Sequence, residues 1–278
     1  MLLTKVDSSF DLVHDFAAPL PVMTMARIMG IPLEDYKFLK NQTSNLIFSL
    51  DMYTSFKTLV RINEAAQALM TYFKDHITYK TKYPSDDLTS KIIAIGNARG
   101  LDLTTEVLAS ICIFLFMAGE ETTINLIGTG AFSLMSNRDQ LKTLLDNDSM
   151  FEDATDEALR FESPVHLAGR IANTDTQLAG IEVKKEDTLT LCIGAANRDP
   201  RQFPSPHLFD INRKAKHHLA FGAGIHFCLG SWLARTQWKI AIKELFNRFQ
   251  DLRIQSAPEW NPMLSIRGLK SMPVTVNQ

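Results

Sequence analysis

Apolar residues recur at helical spacing over most of this chain, and the breaks in that rhythm mark element ends. Residues 5 to 80 read as helices. Asp11 to Phe16 leads into Ala17-Ala18-Pro19-Leu20-Pro21, whose prolines suit the first turn of a helix. That helix carries Val22, Met25, Ala26 and Met29 on one face and stops at Gly30-Ile31-Pro32. A second helix starts after Pro32, and a third covers Phe56 to Lys80. The run Tyr83-Pro84-Ser85-Asp86-Asp87 is a loop, followed by a helix through Ile92, Ile93 and Ile95 that ends at Gly100. Thr104 is a good N-cap, and the pattern behind it runs on to Ser136. That length predicts a central helix crossing the whole domain.

Period-two alternation is confined to a few places. Gln177 to Val183 and Thr188 to Ile193 read as two strands joined by the polar turn Lys184-Lys185-Glu186-Asp187. Leu264 to Val276 predicts another small β element with Gly268 at its turn. The fold class is therefore mainly α with a minor β region, in a single domain over residues 1–278.

Composition narrows the class without changing it. The 278 residues are 45% hydrophobic and 22% charged, ordinary values for a globular protein. Net charge is -2 with no basic block, which argues against nucleic acid and against an anionic membrane surface. The longest apolar run, Val107 to Gly119, lies between Glu106 and Glu120 and is too short to span a bilayer. No membrane anchor is expected. Residues 1–7 lack the apolar stretch of a signal peptide, and the three cysteines, Cys112, Cys192 and Cys228, leave an odd number. These readings predict a cytoplasmic protein with reduced thiols, Cys112 and Cys192 being core fillers.

One segment carries chemistry. Phe221-Gly222-Ala223-Gly224-Ile225-His226-Phe227-Cys228-Leu229-Gly230 presents a single thiol just ahead of an amphipathic helix from about Ser231 to Phe249. The dipole and unpaired N–H groups of a helix start stabilise a thiolate. Gly222, Gly224 and Gly230 let backbone approach a flat ligand or adopt positive φ. A lone cysteine is most often a buried structural residue, but the ten-residue run resembles the haem-binding loop of the cytochrome P-450 family, F-x-x-G-x-x-x-C-x-G. It matches the bacterial form, with His two residues before Cys.

Further segments resemble the same family in the same order. Ala118-Gly119-Glu120-Glu121-Thr122-Thr123 resembles its oxygen-activation motif, in which an acid and a hydroxyl interrupt helix bonding beside the iron. By that resemblance Glu121 and Thr122 relay protons to O2. Taken alone, the segment is a solvated helical turn with a threonine back-bond. Glu157-Ala158-Leu159-Arg160 resembles the family's E-x-x-R and Phe209-Asp210-Ile211-Asn212-Arg213 its F-D-x-x-R. The resemblance makes Glu157, Arg160 and Arg213 a buried structural network on the thiolate side.

The resemblance also implies the cofactor and its surroundings. Haem b would be held by Cys228 at the iron, with Phe221, Gly222, Gly224, His226, Gly230 and Ala118 around it. Arg170 and His226 would meet its propionates. Substrate-pocket candidates are Phe114, Met117, Val165, His166, Leu167, Ala168 and Ile266, mostly apolar, which implies a hydrophobic small-molecule substrate. O2 is the co-substrate, and electrons would come through a ferredoxin- or flavodoxin-like donor with its reductase. The likeness runs from about Phe10 onward and starts in the family's early-middle region, so the chain reads as an N-terminally truncated member. An inert haem-binding fragment is the competing expectation. Retention of Glu121-Thr122 argues against a peroxide-driven oxygenase.

Overall fold

The computed structural model describes residues 9–52 and 54–276; the reading of residues 1–7 lies outside the described residues. The chain is mainly helical: α1 (Pro19–Met29), α2 (Tyr36–Leu46), α3 (Phe56–Lys82), α4 (Leu88–Ala98), α5 (Thr105–Ser136), α6 (Arg138–Asp146), α7 (Phe151–Phe161), α8 (Ile193–Ala196) and α9 (Ser231–Arg248). Helix ends follow local chemistry. Ser55, Asp87 and Thr104 each accept a backbone N–H three residues on, from Thr58, Ser90 and Val107. α1 stops at Gly30 with φ +68°, where a Cβ would also lie 2.5 Å from Asp87 Oδ2. The stretch ahead of α1 is a π-helical turn, Leu12–Ala17, capped by the Asp11 carboxylate.

α5 is the hub of the molecule, with α1, α3, α7 and α9 packed on it. It is long and apolar enough to cross a membrane by length and composition. Here its second half is buried almost continuously, from Thr123 to Met135, within the main core. α1 approaches closely because Gly119 leaves room for the Met25 side chain. α9 does so because Gly130 faces the fully buried Trp238, whose Nε1 would sit 2.3 Å from a Cβ there.

The β elements are short: β1 (Ser9–Asp11), β2 (Leu167–Ile171), β3 (Thr176–Leu178), β4 (Ile181–Val183), β5 (Thr188–Cys192), β6 (Leu252–Ile254), β7 (Glu259–Trp260), β8 (Leu269–Ser271) and β9 (Pro273–Val276). β9 pairs with both β1 and β6, joining the two ends of the described chain. Three expectations are corrected. Gln177 to Val183 is not one strand: the chain turns at Ala179 and Gly180, both at positive φ, so that β3 pairs with β4. The strand that follows pairs with the remote β2, ending at Cys192, and Ile193 opens α8. Gly268 makes no turn; its bareness admits Asn125 of α5, whose Oδ1 would lie 1.8 Å from a Cβ.

Candidate active site

A cleft of about 570 Å³ opens between α5, the β2–β5 pair, and the loop leading into α9. Cys228 lines it three residues ahead of α9, partly exposed. The loop is shaped by Gly222 (φ +70°) and Gly224 (φ +62°), and the Cys228 N–H donates to the Phe221 carbonyl at 2.8 Å. A Cβ on Gly222 would sit 3.2 Å from the His226 carbonyl oxygen, so the tight loop needs glycine for space as well as φ. Phe221, Gly222, His226 and Gly230 line the cleft, while Gly224 shapes the loop without lining it.

The loop is braced from behind by two networks. In one, the Glu157 carboxylate accepts from Arg160 Nε at 2.7 Å and Nη2 at 2.8 Å, and from Arg213 Nε at 3.3 Å. Arg160 spends its remaining donors on the carbonyls of Asn197, Pro206 and Leu208. Glu157 and Arg160 are wholly buried and Arg213 nearly so. Asn197 extends the network to the loop: its Oδ1 accepts the Leu219 N–H and its Nδ2 donates to Ser163 Oγ. In the second network, Asp156 faces His218 Nε2 at 3.3 Å and accepts from Arg235 Nη2 at 2.7 Å. Burial raises the Asp156 pKa, but hydrogen bonds from His218 and Arg235 outweigh it and hold it below the usual value. The Arg235 guanidinium stacks 4.5 Å from the Phe221 ring, tying this network to the thiol loop.

On the opposite wall Ala118, Gly119, Thr122 and Thr123 line the cleft. α5 runs through this turn without a break: the Thr122 hydroxyl donates to the Ala118 carbonyl at 3.0 Å. The expected interruption of helix bonding is therefore corrected to a threonine back-bond, which satisfies the hydroxyl within its own helix. Glu121 does not line the cleft. It turns to Lys40 of α2, whose ammonium lies 2.5 Å from Glu121 Oε2 and 3.3 Å from Glu120 Oε2. Burial pushes Glu120 up to about 7, Lys40 opposing the rise and Glu121 adding to it. Burial works against the Lys40 ammonium too, yet the two carboxylates keep its pKa raised.

Arg170 lines the cleft, is exposed, and donates to the Gly169 carbonyl alone among the described residues. Of the pocket candidates, Val165 and Ala168 line the cleft. Met117 and Ile266 form a small apolar cluster with Ile47, packed against Val165. Phe114 does not line the cleft, which corrects the expectation: it is 63% exposed, one turn ahead of Ala118 on α5 and beside Val107 and Ile111. His166 packs on Gly194, and neither it nor Leu167 lines the cleft. Cys112 is buried, which raises its thiol to about 11. Cys192 is not a core filler but exposed, because both faces of β5 are largely open to water.

Sequence reasoning singled out neither Lys40, Asp156 and Arg235 nor the lining residue Gln237. Gln237 is buried with its amide unpartnered among the described residues. Only the polar interruption of an apolar face on α9 could have flagged it.

The residues fit a flat, metal-bearing macrocycle. One thiol faces the cleft, and no cluster of three His, Cys, Asp or Glu among the described residues could complete a metal shell. An ion held by Cys228 would have to bring its other ligands with it, as a porphyrin does. The walls are largely apolar, and Arg170 and His226 are lining side chains that could pair with anionic substituents.

Comparison with known proteins gives the same direction. The family model described as cytochrome P-450 matches residues 145–265. The biotin biosynthesis cytochrome P-450 of Bacillus subtilis (strain 168) is 39% identical, over 95% of this chain and 67% of its own length. The 6-deoxyerythronolide B hydroxylase of Saccharopolyspora erythraea is 32% identical over 99% of this chain and 68% of its own. The crystal structure of P-450BioI in complex with hexadec-9Z-enoic acid ligated acyl carrier protein superposes with a TM-score of 0.91 at 38% identity. That match covers 98% of this chain and 70% of that one. The chain thus spans about two thirds of the length of the proteins it matches.

Proposed function

The chain belongs to the cytochrome P-450 family, and from that premise we propose that Cys228 holds a haem iron in a monooxygenase acting on a hydrophobic organic substrate. The observation that carries the reading is a lone thiol and the Thr122 turn lining one apolar cleft. Haem b bound through a thiolate supplies the reductive activation of O2, leaving one oxygen atom for the substrate and one for water.

The chain's own residues have four tasks. The Glu157 and Asp156 networks hold the thiol loop rigid, so that the sulfur is presented in one geometry. Arg170 and His226 would pair with the propionates and set the rotation of the macrocycle. Val165, Ala168, Leu191 and Ile193 exclude water and orient the substrate, for which a terpenoid, macrolide or fatty-acyl skeleton fits. The Thr122 hydroxyl would release the Ala118 carbonyl to hold a proton-carrying water, with Glu121 replenishing the proton. We assign a ferredoxin- or flavodoxin-like electron donor and a cytoplasmic location, in keeping with membership of the family alongside bacterial relatives.

The test is the carbon-monoxide difference spectrum of the reduced, haem-loaded protein, followed by turnover with a ferredoxin and its reductase. A thiolate-type band with product formation is the expected result; no such band overturns the reading. A second reading, a haem binder without turnover, draws on the exposure of Ile225, Leu229 and Trp232 around the thiol. A thiolate band without product under any donor would favour it. Thr122→Ala separates the roles further. Substrate binding should survive, while reducing equivalents are diverted to hydrogen peroxide, read as product formed per equivalent consumed.

A further inference from the structure

Glu120 is a buried acid for which the relay described above has no use. It is fully buried, and neither carboxylate oxygen makes a hydrogen bond of good geometry among the described residues. Its nearest cation is Lys40, which leans toward the neighbouring Glu121, at 2.5 Å against 3.3 Å. The Thr43 hydroxyl on α2 lies close enough to favour the Glu120 carboxylate, but its well-formed bond goes to the Leu39 carbonyl. Two adjacent carboxylates thus share one ammonium in a poorly hydrated place. Ionising both leaves an uncompensated buried negative charge, so the favourable state keeps one proton on the pair.

We propose that Glu120 is a positioning residue for proton delivery at Thr122, holding the pair's proton while Lys40 is committed to Glu121 and drawing Lys40 off Glu121 once that proton is lost. The inference rests on the monooxygenase reading of the same turn. The charges acting most strongly on Glu120 are Lys40, from α2, and Glu121, on its own helix. α1 packs beside this turn through the Met25 thioether, which carries no charge. The Lys40 side chain is 24% exposed, so the proton leaving Glu120 has a route to water along it. With Glu120 neutral, Lys40 stays on Glu121 and holds it away from the cleft. With Glu120 ionised, the ammonium is shared between the two carboxylates, and Glu121 is freed to turn toward Thr122. Burial sets this exchange near neutrality, Glu120 being raised to about 7.

Infrared difference spectroscopy across a pH series reads the proton directly, whether or not the protein turns over. The wild-type protein should show a protonated carboxyl band that disappears near pH 7 and is missing from Glu120→Gln. In Lys40→Met its midpoint should rise by about one pH unit or more. In the haem-loaded protein, the share of reducing equivalents lost as peroxide should fall about twofold through the same midpoint. Glu120→Gln should keep the low-pH value throughout. The proposal is overturned if no carboxyl band titrates there, if the band survives in Glu120→Gln, or if that variant keeps the wild-type pH profile of coupling. Should Glu120→Gln not fold, an unmoved midpoint in Lys40→Met overturns it equally. Thr122→Ala in parallel distinguishes the two readings. Unchanged coupling in that variant rejects the hydroxyl relay, while the infrared series still reports where the proton sits.

Discussion

Three thiols of equal intrinsic chemistry lie in three different settings, and setting decides which of them can serve a metal. Cys112 is sealed in the core against α5's neighbours, where burial raises its pKa to about 11 and keeps it a thiol. Cys192 is exposed on a short strand pair. Cys228 alone combines partial exposure, a cleft, and a glycine-shaped loop before a helix. Cys228→Ala should therefore abolish the thiolate-type Soret band, whereas Cys112→Ala and Cys192→Ala should leave it intact; a normal spectrum from Cys228→Ala would falsify the assignment. Behind the loop, Arg160 illustrates the cost of breaking a buried pair. Arg160→Met strips Glu157 of its two shortest bonds and takes the guanidinium donor from the Asn197 and Pro206 carbonyls, while Leu208 keeps Arg213. The expected loss is about 3–5 kcal/mol, measurable by urea unfolding. Glu120 is the opposite case, an acid whose folded pKa is raised. Its contribution is full below the ordinary value of 4.5 and is lost as pH rises through about 7. Stability should accordingly decline over that window in the wild type, and Glu120→Gln should flatten the decline.

At the scale of elements, what was legible in the sequence is what chain-local chemistry determines. Thr104 caps α5 and Ser136 ends it as the apolar period predicts, and Gly30 stops α1 by its positive φ. The i, i+3 spacing of Glu157 and Arg160 places them on one helical face, and the loop of Cys228 was readable from its glycines. What was not legible depends on partners remote in the chain. The strand after Asp187 finds β2 about twenty residues back, because the nearer candidate folds onto itself at Ala179-Gly180. Phe114 lies one turn before Ala118 on the same stripe of α5, yet the cleft ends short of it and leaves its ring in water. Lys40 meets Glu121 across 81 residues of chain, which no local pattern reveals. Close helix contact is a further feature hidden from periodicity. Gly130 looks replaceable within a helix, but a Cβ there would press on Trp238 at 2.3 Å. Gly130→Ala gains helix propensity of about 1 kcal/mol at most. Against that, overpacking a filled core typically costs about 1–3 kcal/mol. A net fall in Tm is expected by calorimetry, with α5 and α9 forced apart, and a rise in Tm would show that the contact yields.

The whole molecule sets a well-filled interior against an unusually apolar rim around its cleft. α5 and the elements packed on it form one continuous core from Leu12 to Val274. Around the thiol, by contrast, Ile225 is 98% exposed, Leu229 90% and Trp232 75%, with Phe227 also open to water. Each such side chain forgoes about 1.5–3 kcal/mol that burial would provide. A domain's total stability is only about 5–15 kcal/mol. Water contact at the rim also lets solvent reach the thiol, and a haem held there would add stability only in proportion to how firmly it binds. Contiguous exposed apolar surface in a soluble protein promotes association. The 278-residue polypeptide is therefore expected to self-associate at micromolar concentration and to take up less than one equivalent of haem. Sedimentation velocity and a haem titration would measure the two effects on one sample. Replacing Ile225 with Ser and Trp232 with Gln should shift the protein toward monomer, because those changes remove apolar rim without touching the Glu157 network or the α5 core. If the unmodified chain sediments as a monomer with a full equivalent of thiolate-ligated haem, the rim is not a weak point of the molecule.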